Sequence, residues 1–175
     1  HTRRGAARLR HRQPLNRQRE LGQHPQLPRR QLLRHQRGPD QHMNIEITSI
    51  CNAKCIMCPR HEMDRKMEMM PHDMYEDIVK QAKALGVKRF ALNGYGEMFT
   101  MKKKYPYFID YLLSQIPDAR IQINTNASLM DEEACQFLLD RKIDTVHIDI
   151  DAATKETFEK VRLKLKYEDV AGNAR

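Results

Sequence analysis

Three cysteines, Cys51, Cys55 and Cys58, fall within eight positions at C-x3-C-x2-C spacing. A chain that turns this tightly can present three thiolates to one face of an iron–sulfur cube, one to each iron. A [4Fe–4S] cube has four irons, so three protein ligands leave one iron open, as catalytic metal sites keep a position for a substrate or cofactor. The same three cysteines with His61 would also satisfy a Cys3His zinc site that merely clamps a loop. Spacing alone leaves both open. The fourth cysteine, Cys135, stands by itself in a helical pattern and reads as a small buried hydrophobe.

Further along, Gly94, Tyr95, Gly96 and Glu97 place a carboxylate after two glycines, which let the backbone approach a neighbour closely. Thr125, Asn126 and Ala127 follow another apolar stretch, where an asparagine either binds a ligand or closes an Asx turn. His147, Asp149 and Asp151 alternate with Val146, Ile148 and Ile150. Two like charges and a histidine on one face favour functional use, because buried carboxylates need partners.

The elements that must position these groups alternate. Strands are predicted over residues 45–48, 87–93, 120–124 and 144–151, separated by helices. The first helix is predicted from Asp73, with Glu76 completing a capping box, Met74, Ile78, Ala82 and Leu85 as its apolar stripe and Gly86 ending it. The second carries Phe108, Tyr111, Leu112 and Ile116, and the third is capped by Asp131 and carries Phe137 and Leu138. A last helical stretch begins near Thr154. Regular β-α alternation implies an α/β fold with a parallel sheet. Its strands are unusual in being two-faced. Ile45/Ile47, Ile121/Ile123 and Val146/Ile148/Ile150 oppose Glu46/Thr48, Gln122/Asn124 and His147/Asp149/Asp151. A parallel sheet covered on both sides should be apolar throughout, so the second face looks into a polar space, as in a barrel with its site at the C-terminal strand ends.

In this order, the motifs resemble those of radical S-adenosylmethionine (SAM) enzymes. The loop from Cys51 to Arg60, CNAKCIMCPR, is similar to that family's cluster loop, in the wording of the branch whose members often carry a SPASM domain with extra clusters. Met57 stands where an aromatic residue is usual, and a thioether can pack there. Gly94, Gly96 and Glu97 resemble the GGE motif, with Met98 in place of Pro. Thr125 to Ala127 resembles TNG with Ala for Gly, and His147 to Ala152 resembles S-x-D-G with Asp149 in the Ser position. The resemblance implies a partial (βα)6 barrel, of which about four βα units are present, the rest of the core and any SPASM domain lying beyond Arg175. It implies that Cys51, Cys55 and Cys58 hold a [4Fe–4S] cluster whose open iron is chelated by SAM. Reduction then splits SAM into methionine and a 5′-deoxyadenosyl radical. By the same resemblance Glu97 helps hold the SAM ammonium beside Gly94 and Gly96, and Asn124 and Asn126 hydrogen-bond SAM. Asp149 and Asp151 accept from its ribose hydroxyls, and Arg162 meets its carboxylate or is a solvated helix charge. A reductant such as flavodoxin or ferredoxin is implied, and the substrate class includes peptides and proteins.

Composition bounds the alternatives. The formal charge is +8, yet residues 1–42 carry 11 Arg, no Lys and only two acids, leaving 20 basic and 21 acidic residues in the other 133. The part that folds is therefore close to neutral, which argues against a nucleic-acid surface outside the first segment. Residues 1–42 form an Arg/Gln-rich stretch without periodicity and are expected to be disordered. Read as an arm, this stretch would join a Cys3His zinc module as a nucleic-acid binder. Its Arg-only usage contrasts with 13 Lys and 7 Arg afterwards. A misread upstream frame, with Met43 near the true start of the core portion at 43–175, would produce that contrast. Sparse cysteines fit a reducing cytoplasm, and no apolar run reaches the roughly 20 residues of a membrane span.

Overall fold

The computed structural model describes residues 41–175. Four short strands make one parallel sheet in the order β1-β3-β4-β5: β1 (His42–Asn44), β3 (Arg89–Ala91), β4 (Arg120–Thr125) and β5 (Thr145–Ile148). Each is followed by a helix: α1 (His72–Leu85), α2 (Tyr105–Gln115), α3 (Glu132–Asp140) and α4 (Lys155–Val161). This is the α/β architecture of four βα units that the alternation predicts. A two-stranded antiparallel ribbon, β2 (Lys54–Cys55) with β6 (Arg162–Leu163), stands apart from the sheet, and α5 (Tyr167–Asn173) follows it. The expected disordered segment lies outside the described residues but for Gln41 and His42, and His42 already belongs to β1.

The first strand is displaced from its predicted place. Ile45 still donates to the Ala91 carbonyl at 2.9 Å, but from there the backbone leaves the sheet. Met70 donates to the Ile47 carbonyl, Ser49 to that of Glu68, and Thr48 forms an antiparallel bridge with Met69. Ile45 and Ile47 are buried as expected. Their period-2 pattern is thus satisfied by burial, while the hydrogen bonds go to the chain returning through residues 68–70.

Helix α1 also differs in detail. Its N-cap is Pro71, without a side-chain cap, and Asp73 accepts from its neighbour Met74. Glu76 cannot reach back to complete a box, because its carboxylate takes the Tyr107 hydroxyl (2.7 Å) and pairs with Lys80. The buried face is Tyr75, Val79 and Ala82, whereas Met74 and Leu85 are exposed. Tyr75 wins the inward position because its ring packs edge-on against Phe108 (4.8 Å between centroids) and its hydroxyl donates to the Phe108 carbonyl at 2.7 Å. Gly86 does end the helix, at φ 75°, returning its amide to the Ala82 and Lys83 carbonyls.

The other helices start and face as the sequence indicates. Asp131 accepts from the Ala134 amide at 2.8 Å, and Thr154 caps α4 through the Thr157 amide. Phe108, Leu112 and Ile116 are buried with Ile121 and Ile123 of β4 and Leu138 of α3 in one core. Cys135 is only half-buried against it. Among the described residues, no helix is long and apolar enough to cross a membrane.

Candidate active site

The cysteine loop leaves the C-terminal end of β1 and is held from three sides. Arg60 is buried and donates to the Ala53 carbonyl at 2.7 Å and to the Met67 sulfur at 2.9 Å. Cys58 donates to the Cys55 carbonyl at 3.1 Å, closing the turn between those two thiols. Cys55 itself lies in β2, directly opposite Arg162 of β6, and Ile56 extends that pairing by donating to the Val161 carbonyl at 3.0 Å. The three thiols are free and half-buried. Burial pushes the Cys55 thiol up, and the charge of Arg162 pulls against that. Burial also raises Cys51, opposed by the Ala53 amide and helped by Glu97. Met57 is 54% exposed, so the thioether does not pack as expected. His61 is exposed, and partial desolvation with the charges of Arg60, Lys54 and Lys164 pushes its pKa down.

Among the described residues, no three His, Cys, Asp or Glu side chains converge on a single-ion centre. A tetrahedral zinc, with Zn–S bonds of about 2.3 Å, needs its sulfurs within about 4 Å of one another. A cube takes each thiolate on its own iron. Three soft sulfur donors on one loop, with the Arg60 charge acting on Cys51 and the Arg162 charge on Cys55, make a donor set that suits the cube.

The loop that follows β3 crosses the entry to the cysteine loop. A Cβ on Gly96 would collide with the Thr48 carbonyl and lie 2.9 Å from the Ile50 carbonyl oxygen, so this glycine brings backbone against backbone. Glu97, next in the chain, donates its amide to Ile50 at 2.8 Å. Its buried carboxylate accepts from the Thr125 hydroxyl (2.9 Å) and the Asn126 amide (2.8 Å), and more weakly from the Phe99 amide (3.3 Å). Burial raises its pKa against those three hydrogen bonds, and the charge of Asp149 adds to the rise. Glu97 therefore ties the loops after β1, β3 and β4 together.

Asn126 closes an Asx turn, its side-chain oxygen accepting from the Ser128 amide at 3.0 Å and hydroxyl at 2.6 Å. The same side chain reaches the cysteine loop, donating to Asn52 at 3.0 Å, and Asn52 donates to Ser128 at 2.8 Å. Turn and site are here one arrangement. Ala127 holds φ 58°, a left-handed conformation that favours glycine, with its amide on the Thr125 hydroxyl.

At the end of β5, Asp149 donates its amide to the Thr125 carbonyl. Burial lifts its pKa, which Arg162 opposes and Asp151 reinforces. Arg162 is neither on a helix nor solvated. It lies in β6, 9% exposed, with Nε on Asp151 at 2.6 Å and Nη2 3.9 Å from Asp149.

The structure thus gathers Cys51, Cys55, Cys58, Gly96, Glu97, Asn126, Asp149, Asp151 and Arg162 at the C-terminal ends of the strands. Asn124 stays apart, accepting from Asn93 (3.2 Å) and Gln122 (3.1 Å). Gly94 is exposed, and its space is shared with Glu46, whose carboxylate is clamped by both Arg65 guanidinium nitrogens and by the Tyr95 amide. Thr125 of the TNG-like stretch also belongs to the cluster, as do Asn52, Arg60 and Ser128, which carry no motif of their own. Only the position of Asn52 and Arg60 within the cysteine loop could have pointed to them.

Residues 45–175 match the model of the Radical SAM superfamily. The chain belongs to the radical SAM superfamily. Enzymes of this superfamily use a [4Fe–4S] cluster and S-adenosylmethionine. Among curated radical SAM relatives, a probable GTP 3′,8-cyclase of Methanothermobacter marburgensis is 30% identical over 128 residues, 73% of this chain and 41% of that protein. The S-adenosyl-L-methionine-dependent 2-deoxy-scyllo-inosamine dehydrogenase of Niallia circulans is 29% identical over 133 residues, 74% of this chain and 50% of that protein. The crystal structure of BtrN in complex with AdoMet and 2-DOIA superposes with a TM-score of 0.59 at 26% identity, over 77% of this chain and 55% of that one. Native anSMEcpe with bound AdoMet gives a TM-score of 0.64 at 24% identity, over 78% of this chain and 40% of that one, and supports the fold alone. The chain spans about half the length, or less, of the curated relatives it matches.

Proposed function

We propose that residues 43–175 are the N-terminal portion of the core of a radical SAM enzyme, in which Cys51, Cys55 and Cys58 hold the cluster and the strand-end groups around Glu97 seat SAM. The observation that carries this is the meeting of two loops. Glu97, from the turn after β3, donates its amide to Ile50, the residue before Cys51, while its carboxylate fastens that loop to the end of β4. When bound, the cluster and SAM supply an electron and a hydrogen-abstracting radical. The protein's own part is to bind, orient and exclude water. Glu97 offers a carboxylate with lone pairs beyond those already used, suited to an ammonium. Asp149 and Asp151 offer acceptors for hydroxyls, and Arg162 keeps both beside the loop. The wording of the loop, with Cys58, Pro59 and Arg60 in sequence, favours the SPASM-type branch and a peptide or protein substrate. A small acidic electron carrier such as flavodoxin or ferredoxin would reduce it, in a cytoplasm that keeps these thiols free.

The test is SAM binding by the chain after anaerobic reconstitution, read from the change SAM makes in the electron paramagnetic resonance spectrum of the reduced cluster. Cys55→Ala should lose the cluster. Glu97→Ala should keep its iron and bind SAM at least about tenfold more weakly, the loss of one charge-assisted hydrogen bond. Unchanged SAM affinity in Glu97→Ala would remove Glu97 from the SAM site.

A further inference from the structure

We propose that Arg162 tunes the cluster: fixed opposite Cys55 across the β2–β6 ribbon and anchored by Asp151, its guanidinium is a permanent positive charge that raises the cluster's reduction potential, with Asp151 as the counterweight. This rests on the cluster reading above and adds to it a role for a pair outside the ligand set. Directly opposed residues of an antiparallel ribbon project their side chains to the same side, about 5 Å apart at Cβ. The register pairs Cys55 with Arg162, and the Ile56 to Val161 hydrogen bond of 3.0 Å fixes it. The charge of Arg162 acts on the Cys55 thiol across that pair. The guanidinium cannot swing away. It is 9% exposed, bonded through Nε to Asp151 at 2.6 Å and drawn by Asp149 at 3.9 Å.

The sign follows from charge. Reduction adds an electron to a cluster whose thiolates already carry negative charge. A buried cation held opposite one of those sulfurs stabilises the reduced form, and a carboxylate behind the cation opposes it. Arg162 also keeps its charge at every accessible pH, so its contribution is constant. Cys51 and Cys58 have no such ribbon partner among the described strands.

The experiment is a dye-mediated redox titration of the full chain after reconstitution, with the reduced cluster detected by electron paramagnetic resonance, for wild type, Arg162→Gln, Arg162→Lys and Asp151→Asn. The midpoint potential should move negative in Arg162→Gln, move positive in Asp151→Asn and stay near wild type in Arg162→Lys. A residue that only holds the ribbon in place would shift neither potential, or shift both in the same sense, and either result overturns the proposal. If Arg162→Gln fails to retain iron, Asp151→Asn and Arg162→Lys decide alone, and an Asp151→Asn potential at or below wild type overturns it. Failure of the wild-type chain to assemble a cluster would instead strike at the cluster reading itself.

Discussion

Gly96 has no room for a side chain, and what fills the space is backbone. The GGE-like pattern suggests glycines that let the chain approach a ligand. At Gly96 the close neighbours are the Thr48 and Ile50 carbonyls, and at Gly94 the Glu46 side chain. Gly96→Ala should therefore destabilise the fold by about 1–3 kcal/mol, the range for forcing extra atoms into packed structure. Gly94→Ala should cost less, since only the Glu46 side chain has to move. Urea denaturation of both variants checks this, and equal losses would contradict it. Glu97 and Asn126 were legible because they stand at fixed offsets after strands. Asn52 and Ser128 were not, because their partners lie 74 and 76 positions away along pairs that no local pattern encodes. Arg162 was legible as a residue and misread as to place, since a helical pattern runs up to it and the turn into β6 leaves no signal.

At the scale of elements, helix α1 shows how a stripe can be read one position off. Met74, Ile78, Ala82 and Leu85 form a valid apolar face at helical spacing, yet Tyr75, Val79 and Ala82 face the core. The aromatic residue has more surface to bury and a hydroxyl that finds the Phe108 carbonyl, and these outweigh the regularity of the stripe. Val79→Ala should cost about 1–3 kcal/mol, as truncation of a fully buried aliphatic side chain does. Met74→Ala should change stability by less than about 0.5 kcal/mol. Thermal unfolding of the two variants distinguishes the observed face from the predicted one, and the reverse ranking would restore the predicted stripe. The ribbon of β2 and β6 was beyond sequence reading for a different reason. Two-residue strands have no period, and this pair joins residues more than a hundred positions apart. Strand β1 was misplaced because burial and hydrogen bonding part company after Ile45, and periodicity reports only burial.

In the whole molecule, the loops at the C-terminal ends of four parallel strands converge, and among the described residues the cysteines, Glu97, Asn126, Asp149, Asp151 and Arg162 collect there. Parallel order, four βα units and a two-faced sheet were all readable, because alternation of apolar and polar residues survives in strands whose second face is not packed by helices. The near-neutral charge of residues 43–175 argues against a nucleic-acid surface there. The cluster assignment is tested most directly by iron and acid-labile sulfide content after anaerobic reconstitution of the chain. It predicts a brown protein with iron and sulfide in near-equal amounts, both lost in Cys55→Ala. A colourless protein with one zinc per chain would contradict it.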